Sequence, residues 1–324
     1  MKLKYKYLLM GMFSLTVALP LTSSADLFTF DPTGTAGAAG DISNVAIIDQ
    51  APGSALALGG VTAINNYLAG SSDVGFTLYY QANLSALQFA DTSISFANGN
   101  GGNFFTFTAG FGETVISADP FPGTATFAFD SSNPVNFFNM YATNTIGNNL
   151  TGEGFNTGTL ILSARIVSVE SSNFQVTDAP ASNLDQSPNG DQWSGQQTVT
   201  GAGSSDITLQ IDSFDPNYFP SLSSSSVINI SFFNNSQIDP FKQVDPSQCF
   251  FNTGGAVCTD AGDIAAFGTL GNINGSLSGG PNFIFQADGN QSITSREVPE
   301  PASLALFSLG LMLLGFFNRR RISV

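Results

Sequence analysis

The sequence predicts an all-β domain, either an antiparallel β-sandwich or a barrel-like body, and three observations carry that expectation. Residues 92–96, 104–108, 114–117 and 124–129 are four runs rich in Thr, Val, Ile and Phe, spaced by about ten residues and separated by Asn, Gly, Asp and Pro clusters. That rhythm belongs to antiparallel all-β architectures rather than to strands alternating with helices. Farther on, Leu160, Leu162, Ala164 and Ile166, then Ile207, Leu209 and Ile211, then Ile228, Ile230 and Phe232, recur at every second position, which gives each strand one apolar face. Thirty phenylalanines are available for those faces, and helical periodicity surfaces only weakly, at residues 264–270.

The chain opens with Lys2, Lys4 and Lys6, an apolar stretch from Leu8 to Leu19, and the small residues Ser23, Ser24 and Ala25. This is the layout of a secretory signal peptide, residues 1–25, cleaved after Ala25; an uncleaved N-terminal anchor is the alternative. The exported domain then spans residues 26–297. Residues 28–34 alternate and turn, 36–40 are small, and 44–50 read as a short strand stopped by Ala51, Pro52 and Gly53. A small-residue run at 54–60 precedes a strand at 74–80. Residues 99–103 are rich in Gly and Asn but precede a strand and lack the Lys of a phosphate loop, so they read as a hairpin connection. The longest strand candidate covers 159–169. Residues 178–195 turn polar, with Pro180, Pro188 and the lone Trp193, and read as a loop or subdomain junction; residues 283–285 form the last strand.

Charge excludes one class of partner. The segment 26–298 keeps only Arg165, Lys242 and Arg296 against 23 of the 24 acidic residues, a net charge of −20. Such a surface repels nucleic acid, and it repels anionic polysaccharide unless divalent cations bridge the two. Asp212 with Asp215, and Asp260 with Asp263, are weak candidates for a structural or bridging Ca2+, although neither pair fits the 12-residue EF-hand loop; no firm metal site and no other cofactor is expected. The chain has no histidine, so a Ser-His-Asp triad, a Cys-His nucleophile and a His-ligated metal are all excluded. Paired carboxylates need no histidine. Glu113, Glu153 and Glu170 therefore keep a secreted carbohydrate-active enzyme open as the alternative to a non-enzymatic protein. Trp193, flanked by Gln192 and Gln196, is a candidate sugar contact, because an indole face packs on the apolar face of a pyranose; the alternative is a Trp buried at the junction.

The strongest local signal is the C-terminal tail, residues 298–324. Val298, Pro299, Glu300 and Pro301 lead into 15 uncharged residues, 303–317, and then into Arg319, Arg320 and Arg321. A helix of that length spans about 22 Å at 1.5 Å per residue, short against a hydrocarbon core of about 30 Å. The arginines would hold the C-terminus on the cytoplasmic side, leaving the preceding domain outside. This tail resembles the PEP-CTERM sorting signal of Gram-negative bacteria. The resemblance implies recognition by an exosortase, a membrane-embedded transpeptidase, with transient anchoring in the inner membrane followed by transfer to the cell surface or extracellular matrix. A permanently anchored surface protein is the alternative.

A second set of short pieces runs through the exported domain: Phe30-Asp31-Pro32-Thr33-Gly34-Thr35-Ala36-Gly37, Asp49-Gln50-Ala51-Pro52-Gly53, Gln197-Thr198-Val199-Thr200-Gly201, Val244-Asp245-Pro246, and Phe285-Gln286-Ala287-Asp288-Gly289-Asn290-Gln291-Ser292. They are similar to the flocculation-associated PEP-CTERM proteins. That resemblance implies a secreted matrix protein that works structurally or adhesively with exopolysaccharide, in flocs or biofilm, and transfers no catalytic residue.

Cys249 and Cys258 are the only cysteines, and both lie in the exported segment. Their compartment favours a disulfide closing a short loop; a metal site is the alternative, at a spacing that is not that of a zinc knuckle. Thiol labelling of the denatured, unreduced protein is expected to give no signal, and two reactive thiols per chain would refute the pairing.

Overall fold

Apolar residues that recur at every second position face the same way on successive antiparallel strands, and here the sheet they form closes on itself. The computed structural model describes residues 27–35, 37, 40–121, 123–149, 151–184, 195–223, 226–233, 250, 270 and 272–295. The elements are β1 (Phe28–Phe30), β2 (Ile42–Val45), β3 (Ile47–Gln50), β4 (Gly53–Leu58), α1 (Gly60–Leu68), β5 (Gly75–Gln88), β6 (Ile94–Ala97), β7 (Phe104–Asp119), β8 (Thr124–Phe129), β9 (Asn136–Thr143), β10 (Thr159–Asn183), β11 (Gln197–Phe214), β12 (Ser226–Phe233), β13 (Ile273–Asn274) and β14 (Phe283–Ser295).

Three pairs of these strands each occupy one position in the wall. β3 and β4 pair in succession with β5 and with β14; β6 and β7 both pair with β5; β8 and β9 both pair with β7 and with β10. Counting each pair once gives eight positions in chain order, β3/β4, β5, β6/β7, β8/β9, β10, β11, β12 and β14, each antiparallel to the next. β14 then pairs with β3 and β4, so the last position meets the first and the wall is a closed up-and-down barrel. This settles the expected choice between sandwich and barrel. An eight-position barrel has an interior just wide enough to be filled by side chains or to hold one small ligand. Residues 178–183 belong to β10, whose partner β11 resumes at Gln197, so the halves flanking the expected junction share this one wall.

One end of the barrel is plugged by aromatic rings. Phe30 of β1 sits between Phe105 and Phe219, with ring centroids 5.2 and 5.0 Å away and interplanar angles of 73° and 70°. Such edge-to-face pairs contribute about 0.5–1.5 kcal/mol each beyond burial. The Asp31 N–H donates to the Tyr218 carbonyl at 2.9 Å and the Thr29 N–H to Ser221 Oγ at 2.7 Å, which fixes β1 across the opening. Toward the middle, Phe107, Phe111 and Phe138 join Leu162 of β10 and Leu209 of β11 in one continuous core, in which Leu209 is 1% exposed.

The outside of β5 and β7 is covered too. Asn83 Nδ2 donates to the Gly147 carbonyl at 3.0 Å, the Gly147 N–H returns to Asn83 Oδ1 at 2.8 Å, and Thr106 Oγ1 donates to the Phe155 carbonyl at 2.7 Å. The described residues of 144–158 therefore lie on that face, and Phe155 among them is completely buried.

Three expectations need correction. Residues 104–108 and 114–117 are one strand, β7, not two. Gly110 and Gly112 lie mid-strand without turning it: a Cβ on Gly110 would sit 2.5 Å from the Phe137 ring, and one on Gly112 2.2 Å from Asn133 Cβ. These glycines mark close approach by Phe137 of the paired strand β9 and by the β8–β9 connection rather than a break. The run at 54–60 is mostly strand β4, and Gly53 is required at its start because a Cβ there would come within 2.3 Å of the Gln81 carbonyl. The third is helical content, expected only weakly at 264–270, whereas α1 spans Gly60–Leu68. Its Val61 and Ala63 are buried, and it is tied down by Val61 N–H to the Pro281 carbonyl (3.0 Å) and Tyr67 OH to the Ile116 carbonyl (3.0 Å).

Candidate functional site

The end opposite the aromatic plug is hollow. α1, which joins β4 to β5 in the chain and packs on β5 and β7, lies across it, and beneath the helix is a cavity of about 150 Å³ lined by Ala55, Phe76, Phe111, Ala125, Phe283 and Ala287 among others. Alternation on β7 places Phe105, Phe107, Ala109 and Phe111 inward, and the next position of the same parity is Glu113. This residue is 2% exposed, it lines the cavity, and its Oε1 has no hydrogen-bond partner. Burial pushes Glu113 up to about 7, offset only in part by a hydrogen bond from Ser172. Ser205 Oγ is a second buried oxygen at the cavity wall without a partner. The other titratable groups lining the cavity are Tyr80, whose hydroxyl donates to Gln50 Oε1, and Asp119 at the rim, whose Oδ1 accepts from the Phe121 N–H at 2.9 Å.

A second concavity, about 600 Å³, lies outside the plugged end and is polar. Thr33, Asn103, Thr143, Asn144 and Thr157 present hydroxyl and amide groups there beside the rings of Phe104 and Tyr218. Burial, with Asp215 and Asp31 nearby, raises the Tyr218 phenol, which keeps it a hydrogen-bond donor.

Of the carboxylates singled out in the sequence, Glu113 is enclosed in the barrel while Glu153 and Glu170 are exposed, so these three do not share a cleft. Glu170 Oε1 accepts from Ser168 Oγ at 2.8 Å, and Glu153 lies in the segment 144–158. Asp212 forms an ion pair with Arg165 on the neighbouring strand. Asp215 organises its own turn: Oδ1 accepts from the Asn217 N–H at 2.9 Å, and its carbonyl accepts from the N–H groups of Tyr218 and Phe219. Among the described residues no three metal-ligating side chains converge. Ala25, Trp193, Cys249, Cys258, Asp260, Asp263, Val298, Pro299, Glu300, Pro301, Arg319, Arg320 and Arg321 lie outside the described residues, as do the signal peptide and the tail helix. Among the described residues no helix is long and apolar enough to cross a membrane.

The lumenal site was missed in the sequence reading, and its signal was there. A carboxylate at the inward parity of a Phe-rich strand is a conflict between local chemistry and burial, visible once 104–119 is read as a single strand.

A family described as the PEP-CTERM protein-sorting motif matches residues 297–321. The match covers the expected turn, helix and arginines, and it marks the chain as an exported protein sorted to the cell surface through exosortase processing. No curated protein and no solved structure matches the chain.

The raised Glu113 carboxyl makes stability depend on pH with a definite sign. The native state holds this proton more tightly than the unfolded chain, so the group's contribution is complete below about pH 4.5 and is lost as pH rises through about 7. Asp288, raised to about 6 by burial and by Asp49, acts in the same direction. Denaturant titrations from pH 4 to 9 are expected to show a decline that Glu113→Gln reduces by on the order of 3 kcal/mol, leaving a smaller one from Asp288. Parallel profiles for the two proteins would refute the assignment.

Proposed function

We propose that this chain is an exosortase-processed extracellular matrix protein, acting without catalysis as a structural or adhesive partner of exopolysaccharide in flocs or biofilm. The sorting motif at residues 297–321 is the observation that carries this reading, because it directs the domain to the surface where such polymers lie. The tail would hold the protein transiently at the inner membrane until the segment around Pro299, Glu300 and Pro301 is cut. The barrel suits service outside the cell. Its closed wall leaves no long strand edge for unwanted pairing, and its strand-to-strand hydrogen bonds are satisfied within one chain. The polar concavity beside Tyr218 and Phe104 supports the carbohydrate part, since hydroxyl and amide groups match sugar hydroxyls while a ring packs on the apolar face of a pyranose. The likeness of the short pieces in the exported domain to flocculation-associated PEP-CTERM proteins supports the same role.

An exported segment of net charge −20 is repelled by an anionic polymer across a Debye length of about 10 Å at 0.1 M salt. Contact therefore proceeds through neutral sugar units or through divalent cations that bridge Asp on the protein to acidic groups on the polymer.

Two measurements test this function. Glu300→Ala is expected to leave membrane insertion intact and to block release, so full-length protein accumulates in the membrane fraction; release at the wild-type rate would reduce the motif to a spacer. Binding of the exported protein to isolated polysaccharide is expected to weaken severalfold when calcium and magnesium are chelated, and to weaken less in Trp193→Ala. Unchanged affinity under chelation would reject cation bridging, and release of soluble sugar from the polymer would replace the matrix role with an enzymatic one.

A further inference from the structure

We propose that the lumen beneath α1 is a binding site for a small, uncharged, apolar molecule carrying one hydroxyl group, which lies against the phenylalanine and alanine walls and hydrogen-bonds to Glu113. This site is separate from the polar concavity and does not depend on the matrix role.

Size and lining set the body of the ligand. A largely apolar pocket of about 150 Å³ has room for a molecule of benzene size. Phe76, Phe111, Phe283 and Phe285 present rings to it, and Ala55, Ala57, Ala125 and Ala287 leave the volume that larger side chains would occupy.

Glu113 sets the polar group. A buried oxygen without a partner costs about 1–3 kcal/mol, and its persistence in an otherwise apolar chamber is accounted for if a ligand completes it. Ser205 Oγ offers a second point of attachment on the same wall. The charge of the ligand follows from what is missing at the lining. Glu113 and Asp119 are its only ionisable groups besides Tyr80, with no cation among them, so an anion finds no counter-charge. An ammonium ion must give up its hydration to form a buried pair, a cost that attraction to one carboxylate does not reliably offset.

The opening is built for an apolar visitor. Leu68 of α1 and Leu277 line the cavity while remaining 39% and 36% exposed, and Phe121, next to the rim residues Asp119 and Pro120, is 87% exposed. Large apolar side chains left in water around a mouth offer a first contact for a ligand leaving solvent.

The test is calorimetric titration of the exported protein, as recovered from cells, with p-cresol, toluene and benzylamine at pH 6. One site is expected, with a dissociation constant for p-cresol below about 1 mM and affinity about tenfold above that for toluene, while benzylamine binds more weakly than either. Ala125→Phe, which fills the lumen, is expected to abolish both p-cresol and toluene binding with the circular dichroism unchanged. Should that variant fail to fold, Glu113→Leu decides: it is expected to keep toluene binding and to lose the tenfold preference for p-cresol. Absence of saturable p-cresol binding, binding retained in a folded Ala125→Phe, a preference that survives Glu113→Leu, or benzylamine as the tightest ligand would each overturn the proposal.

Discussion

The pairing of β14 with β3 and β4 is the contact on which the rest of the molecule depends. Its register, from Gln291 opposite Ile48 to Phe283 opposite Ala57, joins residues more than 200 positions apart and converts an open meander into a ring. Without it both β3/β4 and β14 would present a free strand edge, and the inward faces of eight positions would have no common interior. Closure also decides what the two ends of the barrel become. At one end the N-terminal strand β1 and the turn carrying Tyr218 and Phe219 fill the bore with rings; at the other, the bore is left to α1 and a carboxyl.

That arrangement explains the unusual apportioning of polarity. Outward positions such as Asn83 and Thr106 would ordinarily be solvated, yet both are buried under the segment 144–158 and answer backbone groups there. Inward positions are apolar until Glu113, Gln50 and Gln291, which are 2%, 1% and 2% exposed. Tyr80 of β5 donates to Gln50 on the neighbouring strand β3, whereas Glu113 keeps one oxygen free. Glu113 and Ser205 are thus set apart by lining the cavity with an oxygen that no protein group answers.

The sequence made the β class legible through alternation on 162–166, 207–211 and 228–230, since those stretches are buried on one side and more exposed on the other; Leu160, expected on the same face, is instead 46% exposed, because the register slips between it and Leu162 and Ile161 is buried in its place. It was less informative for β5 and β7, where both faces are covered and the two-residue period fades, so that Gly110 and Gly112 look like turn residues. Closure could not be read at all, because strand pairing between residues 48 and 291 leaves no local trace. Helix α1 was legible in principle from Val61, Ile64 and Leu68 on one face, but nine residues containing Thr62, Asn65 and Asn66 give a weak signal when tertiary contacts supply most of the stability. The sorting tail was the reverse case: its chemistry is local and linear, so its parts were recognisable from their order, and the family match spans the same residues.

The place of β14 in the ring also sets a schedule. Its last residue, Ser295, is only four positions before Pro299, a reach of at most about 14 Å along an extended chain. The strand that completes the barrel is therefore among the final parts of the domain to cross the membrane, and it emerges directly beside the peptide bonds that the processing enzyme must reach. β3 and β4 find their second neighbour only in this last strand. Under the proposed route, in which the tail holds the protein at the inner membrane, closure of the wall and release would take place close to one another along the chain.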